Sequence, residues 1–382
     1  MEIVCCKASS ELAQQAFQLR YQVFLSEFGP THQDMNHEDG LYIDELDQYA
    51  RIYVAINKGR VVATGRTIYD RDFDFSNGLP DSYNFLGLDK FLPAHAGFLS
   101  LSSKIAISLD HRGSLAAHLI TSKMYKDLLD DDINFLFSSC PPCRISFYYK
   151  LGFHMYSRNF RTSVGLVTPI VLVTHDWQHL RNIKSSFSKQ IDKRQLCDRE
   201  HSSVKWFYEN YGESLGSFVS DYNDDVSEKL LMCFDDRNIP PEKENISPSN
   251  HISWEVINKL ISSSKLLHFF PGDYILKADD TTTAFFVVVD GEIEISTDTN
   301  CLPSLNLGPG HIFGEIAMLS GTKVSVDCKA FSKTVLAIVG RQDLERIIKS
   351  DPKLAAYFLF NLSINMSKMI NNRLWTLGAK KD

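Results

Sequence analysis

The stretch Gly310–Leu319 (GHIFGEIAML) decides the fold of the second half of this 382-residue chain. Around it lie short runs of strand-forming residues separated by Gly and Asp, a pattern typical of a small β-barrel. The predicted strands are Asp273–Leu276, Phe285–Val289, Glu292–Ser296, Ser325–Ala330 and Thr334–Val339. A short helix, Trp254–Ser262, is predicted before these strands, and a helical end, Asp343–Trp375, is predicted after them.

Residues 253–375 resemble cyclic-nucleotide-binding domains. The resemblance rests on FPGDYI from Phe270, on FVVVDG from Phe286, and above all on GHIFGEIAML, which is close to the family's phosphate-binding cassette. It implies a β-barrel of the jelly-roll type with flanking helices. It also implies an effector pocket in which a helix N-terminus faces the cyclic phosphate. The pocket residues carried over are Gly314, Glu315, Ile316 and Lys323.

The cassette departs from the family at its cation. Relatives carry an Arg that pairs with the phosphate, whereas this chain has Val324 there, with Lys323 next to it. Charge-assisted hydrogen bonds contribute about 1.5–3 kcal/mol each, so we expect no micromolar binding of cyclic AMP. A cyclic nucleotide stays open as a ligand, as do another effector and a structural, protein-binding role.

The first half alternates helical and strand-like patterns. Residues 10–28 carry apolar side chains at helical spacing, and two strand-like runs at 50–56 and 60–68 flank Asn57-Lys58-Gly59, which is a hairpin signal. Further elements are predicted at Phe98–Ser108 (strand), Gly113–Leu129 (helix), Ile133–Ser138 (strand), Cys143–Leu151 (helix) and Ser163–Thr174 (strand). The order predicts an α+β fold, a mixed sheet with covering helices.

Two segments of this half resemble the N-acetyltransferase superfamily. Residues 105–119 (IAISLDHRGSLAAHL) run from a strand into a helix start, and residues 147–153 (FYYKLGF) are similar to the family's FYxKLGF. The resemblance implies that the loop holds the phosphates of an acyl carrier and that Tyr148 protonates the departing thiolate. The phosphate-binding residues carried over are Arg112, Gly113, Ser114 and Leu115, with Leu115 in place of the family's central Gly.

Three further segments resemble autoinducer synthases and N-acyl amino acid synthases. They are residues 19–29 (LRYQVFLSEFG), 44–49 (DELDQY) and 62–66 (VATGR). The resemblance implies that Asp44 and Asp47 orient or deprotonate an amine. The substrate-binding residues it implies are Arg20, Phe24, Arg66 and Lys104. This branch has Glu-x-Ser-Arg where the chain has Leu101-Ser102-Ser103-Lys104, so the family's Glu is lost.

Composition and length bound the remaining possibilities. The chain is too long for one core, and we predict an acyltransferase domain over residues 1–180, a helical connector and loop over 181–250, and a cyclic-nucleotide-binding-like domain over 251–382. A net charge of −7 disfavours broad nucleic-acid binding. The helix-turn-helix of related regulators is not seen after Trp375, so we expect no DNA binding.

Location and assembly are predicted from the same sequence. We expect no membrane span and no signal peptide, hence a cytoplasmic protein. Cys140 and Cys143 form one CxxC without a second pair, and we predict no metal site. Phe358, Leu362, Met366 and Met369 share one face of the last helix, which indicates either a homodimer contact or a buried intramolecular face.

The sequence favours an enzyme over a scaffold. The predicted function is transfer of a fatty acyl group from the phosphopantetheine of acyl carrier protein, or from CoA, to an amine such as an amino acid. The C-terminal domain would then be regulatory. The alternative is a non-catalytic sensor or scaffold with two degenerate folds, which Leu101 and Val324 favour.

Overall fold

The computed structural model describes residues 1–28, 35–77, 79–162, 165–193, 201–234, 254–262, 264–296 and 304–378. The chain divides into two compact units, Met1–Pro141 with Phe147–Leu215, and Pro142–Ser146 with Gly216–Asp382. The predicted domain limits at residues 180 and 250 stay predictions. The loop expected at residues 238–250 and the side chain of Met369 lie outside the described residues.

The first unit is built on one large mixed sheet. Its strands run β1-β4-β5-β6-β7-β10-β8, with β9 on β10, and β2 pairs with β3 separately. The strands are β1 (Glu2–Cys6), β2 (Met35–Asn36), β3 (Leu41–Tyr42), β4 (Arg51–Asn57), β5 (Arg60–Tyr69), β6 (Leu99–Ile107), β7 (Phe135–Cys140), β8 (His154–Met155), β9 (Phe160–Thr162) and β10 (Gly165–Val173). Within this sheet β6 and β7 are parallel, and the other pairs are antiparallel.

Helices cover both faces of this sheet. Those up to residue 218 are α1 (Glu11–Phe28), α2 (Leu92–His95), α3 (Ala116–Asp130), α4 (Ile145–Leu151), α5 (Trp177–Asn182), α6 (Ser188–Lys193) and α7 (Ser202–Phe218). Alternate residues of β4 show the two layers, because Val54 packs in the cluster that contains Ala16 of α1, whereas Ala55 packs with Ile120 of α3.

Gly65 explains how closely α3 approaches β5. A Cβ atom at this position would lie 2.7 Å from Met124 Cε and 3.1 Å from Ile105 Cγ1, closer than packed carbons come. The glycine in the VATGR segment thus leaves room for Met124 and Ile105 to pack against β5, apart from any role in the site.

The second unit contains two antiparallel sheets, which is the layout of a jelly roll. Their orders are β11-β12-β19-β14-β17 and β13-β18-β15-β16. The strands are β11 (Val219–Asp221), β12 (Lys265–Phe269), β13 (Tyr274–Leu276), β14 (Ala284–Asp290), β15 (Ile293–Ser296), β16 (Leu305–Leu307), β17 (Ile312–Phe313), β18 (Asp327–Ala330) and β19 (Thr334–Gly340). The helices are α8 (Asp224–Phe234), α9 (Trp254–Ile261), α10 (Glu315–Ser320), α11 (Arg341–Ser350) and α12 (Pro352–Gly378).

The C-terminal helix α12 contributes to the core of its own unit. Phe358 and Leu362 are buried with Phe285, and Met366 packs against the same cluster. This face is thus an intramolecular one over these residues, while a homodimer stays a prediction. The α+β fold class is confirmed in both units. No helix in the described part of the chain is long and apolar enough to cross a bilayer.

Candidate functional site

Five predicted site residues of the first unit form one buried ion cluster. Arg20 Nη1 lies 2.7 Å from Asp47 Oδ1, and Arg66 Nη1 lies 3.0 Å from the same oxygen. Arg66 also pairs with both carboxylate oxygens of Asp44, with Nη2 at 2.7 Å from Oδ2. Lys104 Nζ lies 2.7 Å from Asp44 Oδ2. The cluster joins α1, the segment before β4, β5 and β6.

A short 3₁₀ helix, Glu45–Tyr49, holds the two aspartates in place. Asp44 is its N-cap, and its Oδ1 accepts a hydrogen bond of 3.0 Å from Leu46 N–H. Asp47 Oδ2 accepts one of 3.0 Å from the Asp44 N–H, which completes a capping box. The DELD sequence therefore fixes its own turn and still leaves carboxylate oxygens for the cations.

A β-bulge in β6 turns Lys104 towards Asp44. Arg66 pairs with Ser103 in the ladder and Thr64 pairs with Ala106, so β6 carries one extra residue at this point. Lys104 lies in this bulge, and its backbone is in the left-handed region, with φ 54°. The side chains of Ser103 and Lys104 therefore both reach the ion cluster. Arg66 Nε donates to Ser103 Oγ at 2.8 Å, and Lys104 pairs with Asp44.

The cations control the charge state of the buried carboxylates. Burial acts to raise the pKa of Asp44, but the hydrogen bonds and charges of Arg66 and Lys104 outweigh it and hold that pKa well below its usual range. Asp44 is thus a poor proton acceptor at neutral pH. Burial and the nearby Arg66 lower the pKa of Lys104 to about 8, although Asp44 opposes that shift.

The cluster carries one positive charge in excess, because three cations face two carboxylates. Arg20 is fully buried, and its Nε and Nη2 atoms have no hydrogen-bond partner among the described residues. Such donors cost free energy when they are buried and unpaired. The arrangement therefore suits an additional anionic or acceptor group.

Phe24, the remaining predicted substrate-binding residue, lies at the edge of this cluster. Its ring meets that of Tyr42 edge-on at 5.0 Å, and Lys104 Nζ lies 3.7 Å from the centre of the Tyr42 ring. Sequence reasoning missed Tyr42 and also Tyr83, whose hydroxyl accepts from Arg66 Nη2 at 3.0 Å. The sequence signal that could have identified Tyr42 is its position two residues before Asp44.

At the edge of β6 that pairs with β7, the two strands separate part-way along. The two pair in parallel from Leu99–Phe135 to Leu101–Phe137 only. Beyond that point the Ser138 hydroxyl donates to the Ser102 carbonyl at 2.9 Å. This side-chain hydrogen bond follows the last backbone pair of the two strands. A cavity of about 10 Å³ follows, room for about one water molecule. Ser102, Tyr148 and Phe187 line it, with seven other residues.

Tyr148 lies on α4, half-buried, with its ring 5.3 Å from that of Phe153. The cleft beside it is closed by a stacked pair, Phe187 on Tyr125, with ring centres 4.5 Å apart. Phe187 was not predicted, because it lies beyond the expected domain limit at residue 180. The structure thus brings the predicted thiolate acid to the diverging strands, where little room is left in this conformation.

The predicted phosphate loop lies just before α3. Gly113 has φ 78°, and Ser114 Oγ accepts from Ala116 N–H at 3.3 Å. Arg112 Nη2 pairs with Glu27 Oε1 at 2.5 Å. Leu115 is 68% exposed, so its side chain projects into solvent at the start of the helix.

The effector cassette of the second unit centres on Gly314 and Glu315, at the start of α10. Gly314 has φ 83° and precedes α10, and a Cβ atom there would meet Leu276 and Phe286 at 3.2 Å. Glu315 is buried, and burial raises its pKa to about 7. In the described residues it forms no ion pair. Ile316, beside it, is 45% exposed.

Lys323 and Val324 precede β18, which begins at Asp327 rather than at the predicted Ser325. Val324 is buried, and its N–H donates to the Asp280 carbonyl at 2.8 Å. Lys323 is largely exposed and lies 4.0 Å from Asp279. The valine therefore faces inward and the lysine outward.

Comparison with known families identifies both domains. Residues 19–122 match the family model of the acetyltransferase (GNAT) domain, and residues 266–351 match that of the cyclic nucleotide-binding domain. The N-terminal part is therefore a GNAT-type, acyltransferase-like domain, and the C-terminal part is a cyclic-nucleotide-binding-type domain. The predicted resemblance is confirmed at this level.

Individual relatives are more distant. A protein of Rhodopseudomonas palustris that is named as a potassium channel is 32% identical over 85 residues, which cover 22% of this chain and 21% of the channel. The chain spans no more than 21% of the length of the curated relatives it matches.

Two solved structures resemble the chain over about half its length. A CoA-dependent acyl-homoserine lactone synthase, BjaI, is 13% identical with a TM-score of 0.40, covering 53% of this chain and 97% of the synthase. FeeM, an N-acyl amino acid synthase from uncultured soil microbes, is 15% identical with a TM-score of 0.35, covering 47% and 98%. The family models, rather than these distant likenesses, carry the assignment of the two domains.

Proposed function

We propose that the N-terminal domain is an N-acyltransferase and that the C-terminal domain regulates it. The acyl group passes from a thioester of CoA or of acyl carrier protein to an amine. The amine nitrogen attacks the thioester carbonyl, the C–N bond forms, and the C–S bond breaks to release a thiolate. The amine loses a proton and the thiolate gains one.

The observation that carries the proposal is the buried ion cluster against β6. Arg20, Arg66 and Lys104 provide one more positive charge than Asp44 and Asp47 neutralise. An acceptor that bears a carboxylate beside its amine, such as an amino acid, would balance that charge and use free donors of Arg20. We therefore favour an amino-acid-like acceptor.

Lys104 is the group that we assign to accept the proton of the amine. Asp44 and Asp47 are held ionised by their cations, and the pKa of each is lowered overall against the effect of burial. Lys104, with a pKa of about 8, is partly neutral near pH 7 and can take up a proton. In this assignment the aspartates hold the cations in place instead of acting as bases.

Tyr148 is the acid that we assign to the leaving thiolate. Its side chain lines the same cavity as Ser102 of β6, the strand whose opposite face carries the ion cluster. A hydroxyl at this position could deliver a proton as the C–S bond breaks. For the donor to enter, the stacked Phe187 and Tyr125 must separate.

A second candidate function is that of a non-catalytic binding protein. The cleft of about 10 Å³ favours it, as does Leu101, which is buried in the core where the synthases have a Glu. If the protein only binds ligands, the cleft stays closed. If it is an enzyme, the closed cleft is one of at least two conformations of the domain.

Purified full-length protein tests the choice. Long-chain acyl-CoA and acyl carrier protein thioesters are offered with a panel of amines and amino acids, and products are followed by mass spectrometry. We expect N-acylated product, at a rate that rises with pH through about 8 as Lys104 loses its proton. Absence of product from every pair would favour the binding protein.

Two variants of Lys104 distinguish its role as a positive charge from its role as a proton acceptor. Lys104→Arg keeps a cation that does not deprotonate, and Lys104→Met removes the charge. If Lys104 is the base, both lose activity by about 10²–10⁴-fold. Near-normal activity in Lys104→Arg alone would leave Lys104 with an electrostatic role.

A further inference from the structure

Three side chains that could ligate a metal come together at one end of the first unit's sheet. The register of β7 and β10 pairs Phe135 with Val173 and continues as Thr174 N–H donates to the Asn134 carbonyl at 3.0 Å. Residues just before β7 therefore meet residues just after β10, which brings Asp132 to His175. His201, immediately before α7, lies against the same pair.

The three groups are spaced as ligands of one ion. One ligand atom from each of Asp132, His175 and His201 lies within 4.8 Å of the others. His175 Nε2 is 3.3 Å from Asp132 Oδ1, about the 3.4 Å edge of a tetrahedron whose metal–ligand bonds are near 2.1 Å. The imidazole rings of His175 and His201 stack with centres 4.1 Å apart, so His201 would turn out of this stack for both rings to bind one ion.

Local backbone and side-chain contacts hold the three residues in place. Asp132 is in the left-handed region at φ 55°, in the turn after α3. The His175 carbonyl accepts from Trp177 N–H at 2.9 Å. His201 Nδ1 lies 2.8 Å from Ser203 Oγ and accepts a hydrogen bond of 3.3 Å from the Ser203 N–H, so Ser203 fixes the ring at the start of α7.

We propose that Asp132, His175 and His201 form a site for a divalent transition metal of the zinc class. Two imidazole nitrogens and one carboxylate suit Zn²⁺, Co²⁺ or Ni²⁺ better than Mg²⁺ or Ca²⁺, which prefer oxygen ligands. Three protein ligands leave a fourth position for water. The site is separate from the ion cluster and does not depend on acyl transfer.

The charge state of His175 is compatible with ligation. Burial, together with the neighbouring His201, lowers the pKa of His175 to about 4, although Asp132 opposes the shift. A neutral imidazole binds metal without first losing a proton. Asp132 is 71% exposed and reaches the site from the solvent side.

The bound ion would hold the start of α7 to the sheet. Trp206 and Phe207 of this helix pack on Phe135, at the first position of β7. An ion shared by His201 and the two residues at the strand ends would add a link at the helix N-terminus. The role of the metal is therefore structural, with thermal stability as its readout.

Zinc binding to full-length protein tests the site. Wild type is titrated with ZnCl₂ under a non-chelating reductant, with MgCl₂ as the comparison ion, and melting is followed in parallel. The variants are His201→Gln and Asp132→Asn. The matched control is Asp130→Asn, which removes a carboxylate two residues away that pairs with Lys126.

We expect one equivalent of Zn²⁺ to bind and to raise the melting temperature, and Mg²⁺ to do neither. His201→Gln and Asp132→Asn should weaken binding by more than the 10–100-fold typical of losing an outer contact, and Asp130→Asn should match wild type. Zinc binding that survives both ligand variants would assign the ion to other groups, such as the cysteines, and overturn the proposal. Absence of micromolar zinc binding by wild type would overturn it as well.

Discussion

Carboxyl groups in the two units have pKa values shifted in opposite directions. Asp44 in the first unit faces Arg66 and Lys104, which hold its pKa low in spite of burial. Glu315 in the second unit is buried and forms no ion pair in the described residues, and burial raises its pKa to about 7. Burial alone drives a carboxyl group towards its neutral form, and partner cations reverse that effect.

The difference indicates how each unit handles a charged ligand. In the first unit three cations face two carboxylates, and the proposed binding of an anionic acceptor rests on this balance. The second unit has Val324 where a phosphate-binding Arg is expected, and Lys323 faces outward to Asp279. The first unit thus has cations beside its carboxylates, whereas no cation of the described residues pairs with Glu315 in the second unit.

The largest effect should come from Tyr148→Phe. The change removes one hydroxyl with little volume, and general acid catalysis contributes roughly 10²–10⁴-fold, so the acylation rate should fall in that range. Tyr149→Phe is the matched control, because the Tyr149 hydroxyl accepts a 3.4 Å hydrogen bond from Met155 N–H and Tyr149 does not line the cavity beside β6. A loss below about fivefold in Tyr148→Phe, with the fold intact, would make Tyr148 a packing residue.

Arg66→Met should destabilise the first unit. It leaves Asp44 buried without its main partner, and breaking a buried ion pair in this way costs about 3–5 kcal/mol. Hydrogen exchange of the β5 and β6 amides, followed as denaturant is added, gives the free energy of unfolding of the first unit. Arg60→Met, at the exposed start of the same strand, should change it little. Equal stability of the two variants would contradict the claim that the cations hold the cluster together.

Val324→Arg should give the second unit affinity for a cyclic nucleotide. Wild type should show no saturable heat with cyclic AMP or cyclic GMP in titration calorimetry. The new guanidinium adds charge-assisted hydrogen bonds of about 1.5–3 kcal/mol each, enough for at least tenfold tighter binding. Lys323→Ala should behave as wild type. Tight binding by wild type would show that the cassette works without an inward cation.

Glu315 should make the second unit less stable as pH rises. Its folded pKa is above that of the unfolded chain, so its stabilising contribution is full below about pH 4.5 and is lost as pH rises through about 7. Between pH 5 and 8 the loss should be roughly 2 kcal/mol. Hydrogen exchange in β14 and β19 measures it, and Glu315→Gln should abolish the dependence. A flat profile in wild type would mean that Glu315 has a cationic partner in solution.

The sequence predicted the elements whose patterns are local. The hairpin at Asn57-Lys58-Gly59 and helix α1 lie where periodicity and turn residues indicated, and the cassette around Gly314 lies where the family resemblance implied. It missed β1, the short first strand, because EIVCC has too few residues to show a period. It also missed β12, a run of only five residues that is too short to show a period.

The site was predicted as a set of residues but not as a geometry. Motif resemblance named Arg20, Asp44 and Arg66, which lie in one cluster. It could not show that Lys104 reaches Asp44, because that depends on a bulge with a lysine in the left-handed region, where glycine is the usual residue. The stacking of Phe187 on Tyr125 and the meeting of His175 with His201 are tertiary contacts between distant segments, which no local pattern indicates.

Acyl transfer by the first unit is the central claim, and lipid mass spectrometry tests it most directly. Extracts are compared from cells that overexpress wild type, Tyr148→Phe or Tyr149→Phe. We predict new N-acylated amines, amino-acid-like in their head groups, with wild type and Tyr149→Phe and a strong reduction with Tyr148→Phe. Extracts of wild type and Tyr148→Phe that contain the same lipids, with both proteins folded, would contradict the account.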